Sequence, residues 1–584
     1  MDSTAVPYTV DTLTILGVFL ASDHRVLVGN SGADNTANLQ AAIDSISAAG
    51  GGDILFDEGT YEFDDAGVSP YNATRHFAVK FASNILLRGH GRDDTILKLA
   101  DDQSNDSFDV DLFIAGELID NYGFRDLRVT GNTAGQTSYT GGYSQSGSPG
   151  AFLFLSGTTA IGTPANATSD FKVLDCTFDD CWTNPLQIFD ITTSLSRNMQ
   201  VDNVGEGMQY SRCSDGINIG YRYDDTAQVA VGDALEAHVS TDFVISNFEI
   251  HDSIAGSAID IGGQRITIRH GLIYTSGNGI VIQNEGAGHL GPNSDQVTLE
   301  GVTIYMDLVL GTVGDGVAIQ SSTLALAGKH RIQVNSCTVL GPGVGPPTGL
   351  ARGFSASVSA GGINGEGFVS FSDCVVKDMR TGFLVDGVNE VSANGCTASR
   401  CENGVVINST NDTVLGQTKA LMNVDVYDCD GFGVTDTGGG THPPISNVVG
   451  VWVGNGSTLT GSNENAQANL NFPAAANHSF QNLRPTRPAA TMPSPGNTDV
   501  NACGENAIVF SHSELRELNR PSPDQRTTVI FKNACFLSDE SIGGGRNIKT
   551  STFQTDNNFA ALESIDVYYD ATSALFIEIG RTQS

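Results

Sequence analysis

Residues 391–410 read VSANGCTASRCENGVVINST. Apolar and small polar residues alternate along it with a period of two. No stripe of period 3.6 runs through it, so the pattern is that of half-buried strands. Its first nine residues follow a frame: apolar, any, apolar, any, small or polar, then Cys or another core-sized group, any, and usually apolar. The same frame fits FKVLDCTFD from Phe171, FVISNFEIH from Phe243, ITIRHGLIY from Ile266 and VTLEGVTIY from Val297. It fits again at IQVNSCTVL from Ile332 and VSFSDCVVK from Val369, with a weaker copy, SLSRNMQVD, from Ser194. Start-to-start steps run 23, 49, 23, 31, 35, 37 and 22 residues. The short steps cluster at 22–23, and the longer ones read as that unit plus an insertion.

A second frame follows the copies: a glycine or turn, then a short apolar-any-apolar strand. Examples are DGINIG (215–220), GSAIDIG (256–262), GNGIVIQ (277–283), GDGVAIQ (314–320), TGFLVDG (381–387) and NGVVINS (403–409). A repeat of this length means a stacked architecture. Short strands in each 22-residue unit, with Gly or Asn at the bends, describe one coil of a parallel β-helix whose coils rise by about 4.8 Å. Cys176, Cys337, Cys374 and Cys396 share the sixth place of the frame, and that column faces inward. Cys181 and Cys401 each lie five residues after such a cysteine, and Cys429 joins that second column. Stacked core thiols are the first reading, since free Cys behaves as a small buried hydrophobe; disulfide rungs are the alternative. With no CxxC pair and no His-rich segment, a metal site has no donor set to work with.

The 584 residues include 68 Gly, only 18 Pro and 16% charged residues, which suits one long solenoid. The formal net charge is −36. Such a chain repels phosphate backbones, so nucleic acid is excluded as a partner. The first 25 residues carry Asp2 and Asp11 without an early Lys or Arg, and their apolar run is short. That is neither a secretory signal nor a membrane span. The expected location is a virion tail or the cell exterior, with residues 1–30 as an attachment segment.

Residues 35–50 predict a short helix capped by Asn35 or Thr36, with Leu39, Ile43 and Ile46 on one face and Gly50 at its end. A solenoid needs its open end covered, because unpaired strand edges invite aggregation. The helix serves as that lid. The stretch NTANLQAAIDSISAAGGGDILFDEGTYEF, followed by NILLRGHGRDDTILKL (84–99), resembles the N-terminal region of pectate-lyase-like right-handed β-helix proteins. That group includes polysaccharide lyases, glycosidases, alginate C5-epimerases and many phage tailspikes. The family's DFGAxGDGxxDDT opening is reduced here to VGNSGADNTAN, and the epimerase DPHE motif has no counterpart.

The predicted architecture is therefore all-β: a right-handed parallel β-helix over 31–480 with its capping helix, a Pro-rich linker at 481–499 and a C-terminal β module over 500–584. The ending ALESIDVYYDATSALFIEIGRTQS resembles the C-terminal β modules of phage spikes, which implies trimerisation or ligand binding. Cys503 and Cys535 lie in this module, either paired or free.

The outward residues of the apolar-any-apolar strands are Asn218, Asp260, Val281, Ala318, Leu384 and Val406, in that order. The early ones are polar and the later ones apolar, and the apolar ones need a cover, from loop insertions or from neighbouring subunits. The polar part coincides with many carboxylates, and equivalent places on adjacent coils stand about 4.8 Å apart. Two carboxylates so placed reach the separation that glycosidases use; an Arg holding a uronate beside a base would serve a lyase instead. Asp260, Asp215 and Glu285 are the acid/base candidates, and Asn218, Tyr221, Arg222 and Arg265 the substrate-binding ones. No metal or cofactor is expected. The resemblance implies a homotrimeric virion tailspike or tail-fibre protein that binds, and as a depolymerase cleaves, a host surface polysaccharide. Its N-terminus would join other tail proteins. The alternatives are a secreted polysaccharide lyase or glycoside hydrolase, and a non-enzymatic fibre or adhesin.

Overall fold

The computed structural model describes residues 17–136 with short breaks, most coil strands between 154 and 453, and strands alone from 470 to 582. Segments 1–16, 137–153, 205–216, 221–240 and 454–469 are among those outside the description. The chain divides into two compact units, residues 1–223 with 238–249, and residues 224–237 with 250–584.

The helix α1 runs Gly32–Ala48 and starts three residues before the predicted span of 35–50. Ser31 is the N-cap: its hydroxyl accepts from Asp34 N at 3.1 Å. Asn35 and Thr36 lie inside the helix and are buried. They tie it to the chain around it. Asn35 exchanges hydrogen bonds with Leu27 N and O, and Thr36 with Asp64 O and N. A polar side chain that finds a tertiary partner is released from capping duty, which is why these two misled the reading of the start. Leu39, Ile43 and Ile46 are buried as expected. Gly50 ends the helix with φ +111°, a left-handed turn that glycine takes without steric cost.

In the first unit, Tyr122 pairs with Phe171, Phe171 with Ser194, and Ser194 with Phe243, all parallel and in the frame's own register. Tyr122–Thr130 is thus a further copy of the frame. The core here is aromatic: Phe124 meets Phe81, Phe113 and Phe178 at 5.1–5.5 Å between ring centroids. The buried Tyr122 hydroxyl reaches Thr168 Oγ1 at 2.9 Å.

In the second unit, Ile266, Val297, Ile332, Val369 and Val391 pair in succession. The fifth place explains its small or polar character. Asp126, Asp175, Asn247, His270, Gly301, Ser336, Asp373 and Gly395 all take φ between 51° and 65°. Asp, Asn and Gly tolerate that region best. One left-handed residue bends the strand and turns the sixth side chain inward. Each sixth-place cysteine then donates to the carbonyl two residues back: Cys176 to Leu174 at 3.2 Å, Cys337 to Asn335 and Cys374 to Ser372 at 3.4 Å, Cys396 to Asn394 at 3.6 Å. Cys401 and Cys429 repeat the motif with Ser399 and Tyr427. These six thiols are free and buried, so the stacked-thiol reading holds for them and disulfide rungs do not.

The second ladder needs one correction. Val281 pairs with Ala318, but Ala318 pairs with Ser355 before Leu384 follows. The strand Arg352–Val358 is an extra coil, faint in the sequence because the small Ala356 takes the inward place that Ile319 and Val385 hold in the coils on either side. The outward Val281, Ala318, Ser355 and Val406 are buried within the single chain, and Leu384 is half-buried. Towards the end, Ser564–Asp570 pairs antiparallel with both Arg526–Phe531 and Leu575–Thr582, while Ile508–Phe510 pairs parallel with Arg526–Phe531.

Candidate functional site

Asp260 is the fourth residue of the strand Ser257–Ile261, half-buried, with Ile259 and Ile261 fully buried on either side. In parallel register it faces Val281 of the next coil. Its backbone is anchored as the alternation implied. Arg265 begins the next strand, Gln264–Thr275, which belongs to the other sheet. It is exposed and takes φ +54°, a corner position shared in kind by Gln296 one coil later. Asp260 and Arg265 are therefore close in sequence yet presented by different sheets. Asn218 is placed in the strand Ile217–Gly220, paired with Gln187. Asp215, Tyr221, Arg222 and Glu285 lie outside the described residues.

The second unit carries a feature that the sorting of outward residues passed over. His251, Tyr274 and Tyr305 occupy the ninth place of three copies of the frame. Their rings stack at 4.7 Å centroid separation, with interplanar angles of 10° and 6°. In-register parallel strands put equal side chains one strand spacing apart, so three planar rings in one column stack almost inevitably. Both tyrosines are 37% exposed. Leu272 and Thr303 lie beside them, and Leu340, Val375 and Lys377 continue the same two outward columns. The partly exposed tyrosines thus stand next to a strip of Leu272, Thr303, Thr338 and Val375, which mixes aliphatic groups with hydroxyls. That combination suits a chain of hydroxylated rings whose C–H faces lie on the strip. The signal was present in the quoted frames, as EIH, LIY and TIY, but only the residues of the other sheet were compared across coils.

Two charged clusters complete the chemistry. In the first unit, Lys98 pairs with Glu62 at 3.0 Å, and Arg128 pairs with Asp179. Burial pushes the Asp179 carboxyl above its usual range, and Arg128 opposes the shift. In the second unit, Asp315 is buried at a coil corner. Its Oδ1 accepts from Arg352 N and Nε, both at 3.0 Å, and its Oδ2 meets Arg352 Nη2 at 2.7 Å and Ser355 Oγ at 3.3 Å. Four donors leave that carboxylate no free valence for a substrate, so it is a corner brace. Among the described residues no cluster of His, Cys, Asp and Glu is arranged to hold a metal ion, and no helix is long and apolar enough to cross a membrane.

Parallel coils with left-handed corners, a helical lid and inward thiol columns settle the architecture. The fold is that of the parallel β-helix proteins. No family model matches the chain. A stretch of 123 residues is 31% identical to mannuronan C5-epimerase AlgE6 of Azotobacter vinelandii, covering 21% of this chain and 14% of the epimerase. The chain thus spans well under two thirds of that relative's length. Among solved structures, the surface adhesin PfbA of Streptococcus pneumoniae matches 72% of this β-helix chain and 94% of its own, at 13% identity and TM-score 0.51. The N-terminal fragment of gene product 12 of bacteriophage Phi29 matches 91% of this chain and 81% of its own, at 14% identity and TM-score 0.50.

Proposed function

We propose that this β-helix binds an extended host surface polysaccharide along its outer face, as a spike or fibre protein carried on a virion. The observation that carries the reading is the stacked row of half-buried His251 and exposed Tyr274 and Tyr305, beside the column that starts at Leu272 and Thr303. One coil advances by about the length of one sugar ring, so successive hydroxyls of the row meet successive sugars. The local similarity to an epimerase named for mannuronan supports a polysaccharide as the ligand. In this reading the chain is a homotrimer, residues 1–30 attach it to other tail proteins, and Asp260 is the acid or base of any cleavage, helped by Asp215 and Glu285.

The test is an array of bacterial capsular and lipopolysaccharide glycans. Wild type is expected to bind a defined subset. The double variant Tyr274→Ala, Tyr305→Ala is expected to lose at least about tenfold in affinity, the scale of losing aromatic anchors at an interface. The bound glycan is then incubated with the protein, and new reducing ends and unsaturated-uronate absorbance are followed. Where turnover is seen, Asp260→Asn is expected to cut it at least about 100-fold, the scale of losing a positioned acid or base. Binding that ignores both tyrosines would sink the proposed face, and turnover unchanged in Asp260→Asn would remove that residue from the chemistry. A stable monomer by light scattering would sink the trimer.

A further inference from the structure

A cavity of about 620 Å³ opens beside the capping helix, within the size range of small-ligand sites. Gln40 and Asp44 of α1 line it, together with Phe77 and Lys80 of the strand Arg75–Lys80, and with Ala82 and Ile119. It belongs wholly to the first unit and shares no residue with the ring row.

Its polar groups are fixed in place. Gln40 Oε1 accepts from Lys80 N at 2.8 Å, and Gln40 Nε2 donates to Lys80 O at 3.1 Å and to Asp44 Oδ1 at 3.0 Å. One amide thus holds both the strand end and the Asp44 carboxylate. The Lys80 ammonium differs from its counterparts. Lys98 is paired with Glu62 and Lys172 with Asp170, whereas among the described residues no carboxylate lies within ion-pair reach of Lys80. It is half-buried at the cavity, beside the half-buried ring of Phe77.

We propose that this cavity is a separate binding site for an acidic sugar residue, a hexuronate, with its carboxylate on Lys80, its C–H face on Phe77 and its hydroxyls on Asp44 and Gln40. A fatty acid would satisfy Lys80 and Phe77 but lay an alkyl chain against the Asp44 carboxylate, which costs desolvation. A neutral sugar would leave the lysine unanswered. A cationic ligand would be repelled by it. In a chain of net charge −36, an anion is held only where a local cation offsets the field, and Lys80 is such a point. The inference stands apart from the ring-row reading.

The experiment is calorimetric titration of the full chain with a hexuronate trisaccharide, a neutral hexose trisaccharide and a medium-chain fatty acid. Saturable binding of the uronate is expected, weakened by added salt. Lys80→Met is expected to lose about tenfold or more, the scale of a charge-assisted hydrogen bond. Ala82→Trp, which fills the cavity, is expected to abolish binding, with circular dichroism checking the fold. If Ala82→Trp misfolds, Lys80→Met alone decides. The Tyr274→Ala, Tyr305→Ala variant is expected to bind the trisaccharide as wild type does, which separates this site from the outer face. No saturable uronate binding, equal binding by Lys80→Met, or a preference for the neutral sugar or the fatty acid would each overturn the proposal.

Discussion

Asp315→Asn is expected to destabilise the second unit by about 3 kcal/mol. The Asp315 side chain is 5% exposed and its partner Arg352 18%. The substitution keeps the shape but replaces one acceptor oxygen with an amide nitrogen. If that nitrogen faces Oδ1's place, the bonds from Arg352 N and Nε are lost; if it faces Oδ2's, the contact with Arg352 Nη2 is lost while Ser355 Oγ can accept from the amide instead. Either way the guanidinium stays mostly buried without a counter-charge. Breaking a buried ion pair costs roughly 3–5 kcal/mol, and the partial access of water to Arg352 puts this one at the lower end. Removing both charges, in Asp315→Asn with Arg352→Met, is expected to recover at least half of the loss, because no charge is then stranded. A coil array opens in parts, so the assay is native-state hydrogen exchange over Val317–Ser321 and Arg352–Val358, which pair with each other. A loss under about 1 kcal/mol for the single variant, or simple additivity in the double one, would refute the view of Asp315 as a charge-paired brace.

Two further outcomes follow from the same geometry. Burial raises the Cys176 thiol from 9.0 to about 12, and that of Cys337 to about 11. A raised folded-state value contributes stability that is full below the unfolded value and lost as pH rises through the folded one. Unfolding free energy is therefore expected to fall between about pH 9 and 12, at up to about 1.4 kcal/mol per pH unit for each such thiol. Denaturant titrations across that range check it, and a Cys176→Ala variant with an unchanged slope would contradict it. By contrast, the Arg380–Glu402 pair at 3.0 Å is 43% exposed on both sides. Glu402→Gln is expected to change stability by less than about 1 kcal/mol, and a larger shift in the denaturant midpoint would show that the pair acts within a wider network.

The copies of the nine-residue frame were legible because each coil writes its own period-two pattern, and the pairing register follows the frame from Phe171 to Phe243 in the first unit and from Ile266 to Val391 in the second. The strand Arg352–Val358 is fainter, because the small Ala356 stands at the inward place where the neighbouring coils carry Ile319 and Val385. The helix lid was legible from Leu39, Ile43 and Ile46, while its start was not: Asn35 and Thr36 are good caps by type but found tertiary partners in Leu27 and Asp64. Asp260 lies half-buried between the buried Ile259 and Ile261, a burial pattern that alternation alone decides.

Sequence by itself determined the coil, its handful of corner residues, the inward thiol columns and the acidic, glycine-rich character of the whole. All of these arise from spacing within about 22 residues, where local backbone preference and burial speak directly. Only the tertiary structure decided that His251, Tyr274 and Tyr305 form one row, that Asp315 finds Arg352 and that Lys80 and Asp44 line one cavity. Those partners lie 23–37 residues apart or on different elements, and insertions of unequal length separate the coils. Which side chains meet is then set by register across coils, a property that no single stretch of sequence carries.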